Sequence, residues 1–295
     1  MCVTCGCSDD ANPTFTHLAA HTAAAALTHS HVLADGQVIT HSHPQETRQQ
    51  THEHHHPSSH AALETAPPPR HPERKQSLQS TALEINVLAK NDLIAAQNRG
   101  WFEGRNVLAL NLVSSPGAGK TTLLTRTISD LQDRLQFSVI EGDQATAHDA
   151  ERIRATGCGV VQVNTGTGCH LEAAMIQRGI HNLNPAANSV LMIENVGNLV
   201  CPALFDLGER AKVAILSVTE GDDKPIKYPH MFRASSLMLL NKVDLLPYVT
   251  FDVDRCIAYA RQVNPDIEVF LVSATSGEGL DHWYGWLLDT VATPA

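Results

Sequence analysis

Between Val107 and Val272 short apolar runs alternate with segments of helical spacing. The runs are residues 107–113, 137–140, 160–163, 190–193, 213–218, 237–240 and 269–272. They are too short for helices and predominantly apolar, as in strands buried on both faces. Strands separated by helices predict an α/β fold with a mostly parallel sheet and helices on both sides. Ligands of such sheets sit beyond the carboxyl ends of the strands. Ahead of the first run, Leu83, Ile85, Val87, Leu88, Leu93 and Ile94 recur at roughly helical spacing. They predict a leading helix from about Ser77 to Gly100.

Residues 1–75 break with this pattern. They are rich in His, Ala, Thr, Ser, Pro and Gln and poor in large apolar side chains, and Pro67-Pro68-Pro69 closes them as a stiff spacer. A segment of this kind buries too little apolar surface to offset its ordering entropy. The chain is therefore expected to divide into a largely disordered Cys/His-rich tail, 1–75, and a folded domain, 76–295.

Charge and composition narrow the class. A formal net charge of -10 over 295 residues argues against general nucleic-acid binding, which calls for a basic patch. No apolar run approaches the ~18–20 residues needed to span a bilayer. No basic segment followed by an apolar stretch opens the chain, so a cytoplasmic address is expected, with no membrane partner. Seven cysteines in a reducing compartment read as metal ligands or buried thiols.

The most specific motif is Ser114-Ser115-Pro116-Gly117-Ala118-Gly119-Lys120-Thr121-Thr122, between a strand and a helix. The small residues of the loop Ser115, Pro116, Gly117, Ala118 and Gly119 let its backbone N–H groups, proline's excepted, come close to phosphate oxygens, and the helix N-terminus adds a favourable dipole. Lys120 would reach the β- and γ-phosphates, the Thr121 hydroxyl would ligate Mg²⁺, and Thr122 would continue the cradle. Ser114 departs from the common pattern, which has Gly there.

Base choice is read from Asn241-Lys242-Val243-Asp244, directly after a strand. The Asp244 carboxylate can accept from guanine N1–H and N2, a donor pair adenine lacks. Asn241 would contact the base edge and Lys242 would lie over its face. The backbone of Ser273-Ala274-Thr275 follows the last strand and could meet the guanine oxygen. Asp143 and Glu194, each at a strand end, are candidates for Mg²⁺ and the γ-phosphate. The Gly197 amide could sense that phosphate.

Two further clusters carry soft donors. Cys2, Cys5 and Cys7 place three thiols in six positions, and removal of Met1 would add the Cys2 amine. That set suits square-planar Ni²⁺ and equally tetrahedral Zn²⁺. Cys169-His170 and Cys201 leave strand ends on the nucleotide side, and a second subunit could complete their open position. Cys158 and Cys256 have no partner in sequence and read as core thiols. Twelve of the 17 histidines precede residue 75. Those in His41, His43, His52, His54, His55, His56 and His60 could bind Ni, Cu, Zn or Co loosely.

Taken together these motifs resemble the HypB family of hydrogenase nickel-incorporation GTPases. The likeness spans about residues 77–295 and the first seven, and Glu194-Asn195-Val196-Gly197-Asn198-Leu199-Val200-Cys201-Pro202 is its most specific stretch. The resemblance implies a P-loop NTPase of SIMIBI-like G-domain type that hydrolyses GTP to GDP slowly and dimerises with GTP. It implies nickel delivery to the [NiFe] hydrogenase large subunit beside a HypA-type nickel/zinc companion. It makes Cys2, Cys5 and Cys7 tight nickel ligands, and Cys169, His170 and Cys201 a weaker Ni/Zn site at a dimer interface. The alternatives are a nickel storage or buffering protein and a GTPase metallochaperone for another nickel enzyme such as urease.

Overall fold

The computed structural model describes residues 14–18, 29–32, 38–41, 73–143, 148–166 and 168–293. Side chains are described at Phe15 and from Asn86 onward within these ranges, with only the backbone of Asp143 and His148. Strands β1 (Thr14–Leu18), β2 (His29–Val32) and β3 (Val38–His41) precede the long helix α1 (Glu73–Gly104). Then follow β4 (Leu108–Ser114), α2 (Lys120–Leu131), β5 (Phe137–Asp143), α3 (His148–Arg154), β6 (Gly159–Asn164), α4 (Ala173–Leu183) and β7 (Val190–Glu194). The last third holds β8 (Ala211–Ser217), α5 (Lys224–Lys227), α6 (Pro229–Ala234), β9 (Leu237–Asn241), α7 (Val253–Val263), β10 (Glu268–Leu271) and α8 (Leu280–Ala292).

The seven apolar runs become seven parallel strands, β4 to β10, in the order β6-β5-β7-β4-β8-β9-β10. β1 adds antiparallel at the β6 edge, with Phe15 opposite Val163. Among the described residues β2 and β3 pair with each other, His29 opposite His41, and belong to a second compact unit, His21–Arg74. The amino-terminal strands have no clear signal in the apolar pattern. The helix expected at Ser77–Gly100 runs from Glu73 to Gly104.

β4 lies at the centre, and all seven of its residues are buried. Its side chains alternate between the two faces of the sheet, as the period of 2 requires. Leu108, Leu110 and Leu112 join the core under α2, α3 and α8. Val107 and Ala109 pack with α1 and α4, and Val113 with α6 and α7. Asn111 belongs to this second face by its position, yet it is a fully buried amide. A buried polar group needs hydrogen-bond partners, and those of Asn111 tie two loops together, as described below.

The helices are fixed by a few buried polar contacts as well as by apolar area. The Trp283 indole of α8 donates to Thr127 Oγ1 of α2 at 2.9 Å. From α1, Asn98 Nδ2 donates to the carbonyls of Ala173 and Leu207, at 2.9 and 3.0 Å. Asn91 accepts from Ala173 N at 2.9 Å and donates to Asp206 O at 2.7 Å. These bonds clamp α1 onto the start of α4 and the loop that follows Cys201. Strand β4 hands on to β5 on one side of the sheet, and β7 hands on to β8 on the other. Such a reversal opens a crevice above the central strands.

Candidate functional site

The loop from Ser115 to Gly119 rises from the end of β4 and turns into α2. Its sharp course depends on Gly117 and Gly119, whose φ angles are +75° and +90°. At Gly119 a side chain is excluded twice over, because a Cβ would stand 2.6 Å from Asn241 Nδ2. With Gly197, Glu141 and Lys242 the loop bounds an open cleft of about 530 Å³.

The other predicted segments meet this loop. Asn241 closes β9 with its side chain 1% exposed, donating to Ala118 O at 2.9 Å and accepting from Ala274 N at 3.2 Å. Its visible work is thus to lace the phosphate loop to the loops after β9 and β10, a bracing role that the reading as a base contact did not include. Lys242 Nζ donates to Gly117 O at 2.7 Å, which lays its stem along the cleft wall. Asp244 is half-buried in a short 3₁₀ turn, Val243–Tyr248. Ser273 is buried in the turn after β10, its Oγ accepting from Ser276 N. The Gly197 backbone passes so close to Pro116 that a Cβ there would lie 3.2 Å from the proline.

Glu194 ends β7 with 2% exposure. Its Oε1 accepts from Lys120 Nζ at 2.9 Å and from Thr121 Oγ1 at 2.6 Å, while Oε2 is buried without a hydrogen bond. An orphaned carboxylate oxygen beside a threonine hydroxyl fits a hard divalent cation, which takes carboxylate and hydroxyl oxygens. Glu141 is a site residue the motif reading passed over. It is the register partner of Glu194 on the neighbouring strand β5, buried, and on the cleft. Only pairing between distant strands brings the two carboxylates side by side. Arg152 of α3 also reaches the rim, donating to Thr122 Oγ1 at 3.1 Å. Asp143 closes β5, and its side chain lies outside the described residues.

Cys169, His170 and Cys201, far apart in sequence, converge. Their ligand atoms all lie within 4.8 Å of one another. Cys169 Sγ is 3.1 Å from Cys201 Sγ and 3.7 Å from His170 Nδ1. One ion at the usual metal–sulfur distance of about 2.3 Å can touch both sulfurs, and the soft and borderline donors suit Ni²⁺ or Zn²⁺. The imidazole is 6% exposed and packs on Phe205 with centroids 4.0 Å apart. Its Nε2 lies 3.7 Å from Glu172, and the contact holds that carboxyl below its ordinary range against the opposing effect of burial.

Cys256 is buried in the core and Cys158 packs at its edge, as expected of thiols with no partner in sequence. Cys2, Cys5, Cys7 and the histidines from His43 to His60 lie outside the described residues, and of His41 only the backbone is described. Among the described residues no helix is long and apolar enough to cross a membrane.

A family model described as CobW/HypB/UreG, nucleotide-binding domain, matches residues 108–271. The hydrogenase maturation factor HypB of Escherichia coli (strain K12) is 65% identical over 205 residues, covering 70% of this chain and 71% of that one. Its counterpart in Azotobacter vinelandii is 63% identical over 205 residues, covering 70% and 68%. The crystal structure of HypB from Helicobacter pylori in complex with nickel has a TM-score of 0.65 at 37% identity, covering 69% of this chain and 95% of that chain. The chain belongs to the HypB family of hydrogenase maturation factors.

Proposed function

We propose that this chain is a GTP-hydrolysing metallochaperone that binds nickel and passes it to the large subunit of a [NiFe] hydrogenase. The observation that carries the proposal is one short segment, Glu194 to Cys201, that starts in the nucleotide cleft and ends as a ligand of the thiolate–imidazole cluster. A chain built only to store metal has no need of that connection. The nickel-bound relative from H. pylori supports nickel as the cargo.

In this reading GTP lies along the Ser115–Thr122 loop with Lys120 on its β- and γ-phosphates. Asp244 accepts from guanine N1–H and N2, Lys242 covers the base, and the Ser273-Ala274 backbone meets its oxygen. Thr121, Glu194 and Asp143 would hold Mg²⁺, which supplies charge neutralisation on the phosphates as water attacks. The Gly197 amide reports the γ-phosphate. Cys169, His170 and Cys201 present three donors, and a second copy of the chain closes the remaining position in a GTP-dependent homodimer. The 1–75 tail, with Cys2, Cys5 and Cys7, gathers nickel or zinc in the cytoplasm, and a HypA-type companion shares the transfer.

Hydrolysis of GTP and ATP by the full chain tests the nucleotide half. GTP turnover that Lys120→Ala abolishes, with little ATP turnover, is the expected result; equal use of ATP refutes the reading of Asp244. Nickel titration with GDP and with a non-hydrolysable GTP analogue tests the metal half. Equal affinity in both states, and unchanged affinity in Cys169→Ala/Cys201→Ala, would remove the chaperone cycle.

A further inference from the structure

The segment after β7 has two sides. Glu194 and Gly197 face the phosphate loop: Glu194 takes Lys120 and Thr121, and Gly197 abuts Pro116. Asn195 and Asn198 face the metal-ligand loop. Asn195 Oδ1 accepts from Leu171 N at 3.2 Å, next to His170. Asn198 Nδ2 donates to Cys169 O at 3.2 Å. The alternation puts one nucleotide contact and one metal-loop contact in each half of the segment.

Asn195 is also the head of a buried relay. It is 1% exposed, and its Nδ2 donates to Asn111 Oδ1 at 3.1 Å. Asn111 Nδ2 donates to Glu209 Oε1 at 3.0 Å, and that oxygen lies 3.5 Å from Lys212 Nζ. Lys212, 6% exposed, donates to Pro202 O at 2.7 Å and Phe205 O at 3.2 Å. The relay therefore starts at the loop of Cys169-His170 and ends on the turn of Cys201. Lys212 and Glu209 sit on β8 and just before it and anchor the Cys201 end to the sheet. The Cys169 end is bonded through the two asparagines to a segment whose other side must exchange partners when phosphate and a cation compete for Lys120 and Thr121, while Thr165 holds Gly168 O and α1 holds Ala173 to either side. Bonds to a moving segment transmit its state, and bonds to a fixed strand do not.

We propose that Asn195 and Asn198 are positioning residues that transmit nucleotide state to the Cys169–His170–Cys201 cluster, against a fixed end held by Lys212. This rests on the reading of that cluster as a metal site. The amide of Asn198 separates transmission from local shape. Its Oδ1 accepts from Val200 N at 2.8 Å and shapes the turn, whereas its Nδ2 alone reaches Cys169. Asn198→Asp keeps the acceptor and removes the donor.

The test titrates Ni²⁺ into the full chain carrying Cys2→Ser, Cys5→Ser and Cys7→Ser, with GDP or a non-hydrolysable GTP analogue, and follows the thiolate-to-nickel charge-transfer band. The parent is expected to show affinities that differ about five-fold or more between nucleotide states. Asn198→Asp and Asn198→Ala should both retain the band and bring the ratio to within about two-fold of unity. Asn195→Ala should do the same if it folds, and Asn198 carries the test if it does not. A parent ratio of one, or an Asn198→Asp ratio equal to the parent's, overturns the proposal. Binding and band unchanged in Cys201→Ala would instead overturn the metal-site reading beneath it.

Discussion

Gly119 and Gly117 offer a matched pair of perturbations in one loop. Both have left-handed φ angles, +90° and +75°, so alanine at either meets the backbone strain of that region, about 1–2 kcal/mol. They differ in surroundings. A Cβ at Gly117 meets nothing within 4 Å, whereas one at Gly119 stands 2.6 Å from Asn241 Nδ2. That amide has no room to yield. It is 1% exposed and pinned by Ala118 O and Ala274 N. Displacing it leaves a buried group unsatisfied, at about 1–3 kcal/mol. Gly117→Ala should therefore lose about 1–2 kcal/mol and Gly119→Ala about 2–5 kcal/mol. Urea unfolding of the nucleotide-free chain, followed by fluorescence of the buried Trp283 packed against α2, measures both. Equal midpoints for the two variants, or a lower one for Gly117→Ala, would refute the claim that Asn241 braces the loop.

Three further outcomes follow from other contacts. Asp244→Asn should weaken GDP binding by a factor of about 10² or more, because two hydrogen bonds to a carboxylate are altered; calorimetric titration showing under three-fold change would reassign the base contact. Burial pushes the Asp206 carboxyl up, but hydrogen bonds from Arg99 and Gly208 N outweigh it, so its pKa lies below the ordinary value. A depressed carboxylate stabilises above its unfolded pKa and ceases to as pH falls through the folded one. The stability gap between wild type and Asp206→Asn, about 1 kcal/mol for so exposed a pair, should therefore close below about pH 4, and a gap that widens in acid contradicts this. Burial, helped by Asp222 and Asp252, raises the Cys256 thiol to about 12. It should resist iodoacetamide at pH 8 in the native chain and react after unfolding, read by peptide mass spectrometry; labelling of the native chain at that position would contradict the burial of α7.

The Cys169–His170–Cys201 cluster shows why the two loops need each other. Cys201 sits in a turn whose carbonyls are held by Lys212, and Cys169 sits in a loop held by Asn198. Cys201 opens a single 3₁₀ turn, Cys201–Ala203, and Cys169 lies outside helix and strand, so side-chain hydrogen bonds across the sheet fix where the two loops sit. α1 adds a third constraint through Asn91 and Asn98, which reach Ala173 and the carbonyls of Asp206 and Leu207. A helix that looked in sequence like a mere leader braces the segments that flank this cluster.

The periodic apolar runs determined the parallel sheet, and the Ser114–Thr122 and Asn241–Asp244 motifs determined that a phosphate loop and the proposed base-selecting turn follow strands in it. Both signals are local: a strand needs only its own run of side chains, and a phosphate loop needs small residues in consecutive positions. What folding alone decided is lateral. Which strand lies beside which put Glu141 next to Glu194, carried Asn111 of the central strand under Asn195, and closed 3.1 Å between sulfurs of residues 169 and 201. Register between distant segments is set by the packing of both faces at once, and no window of sequence contains it.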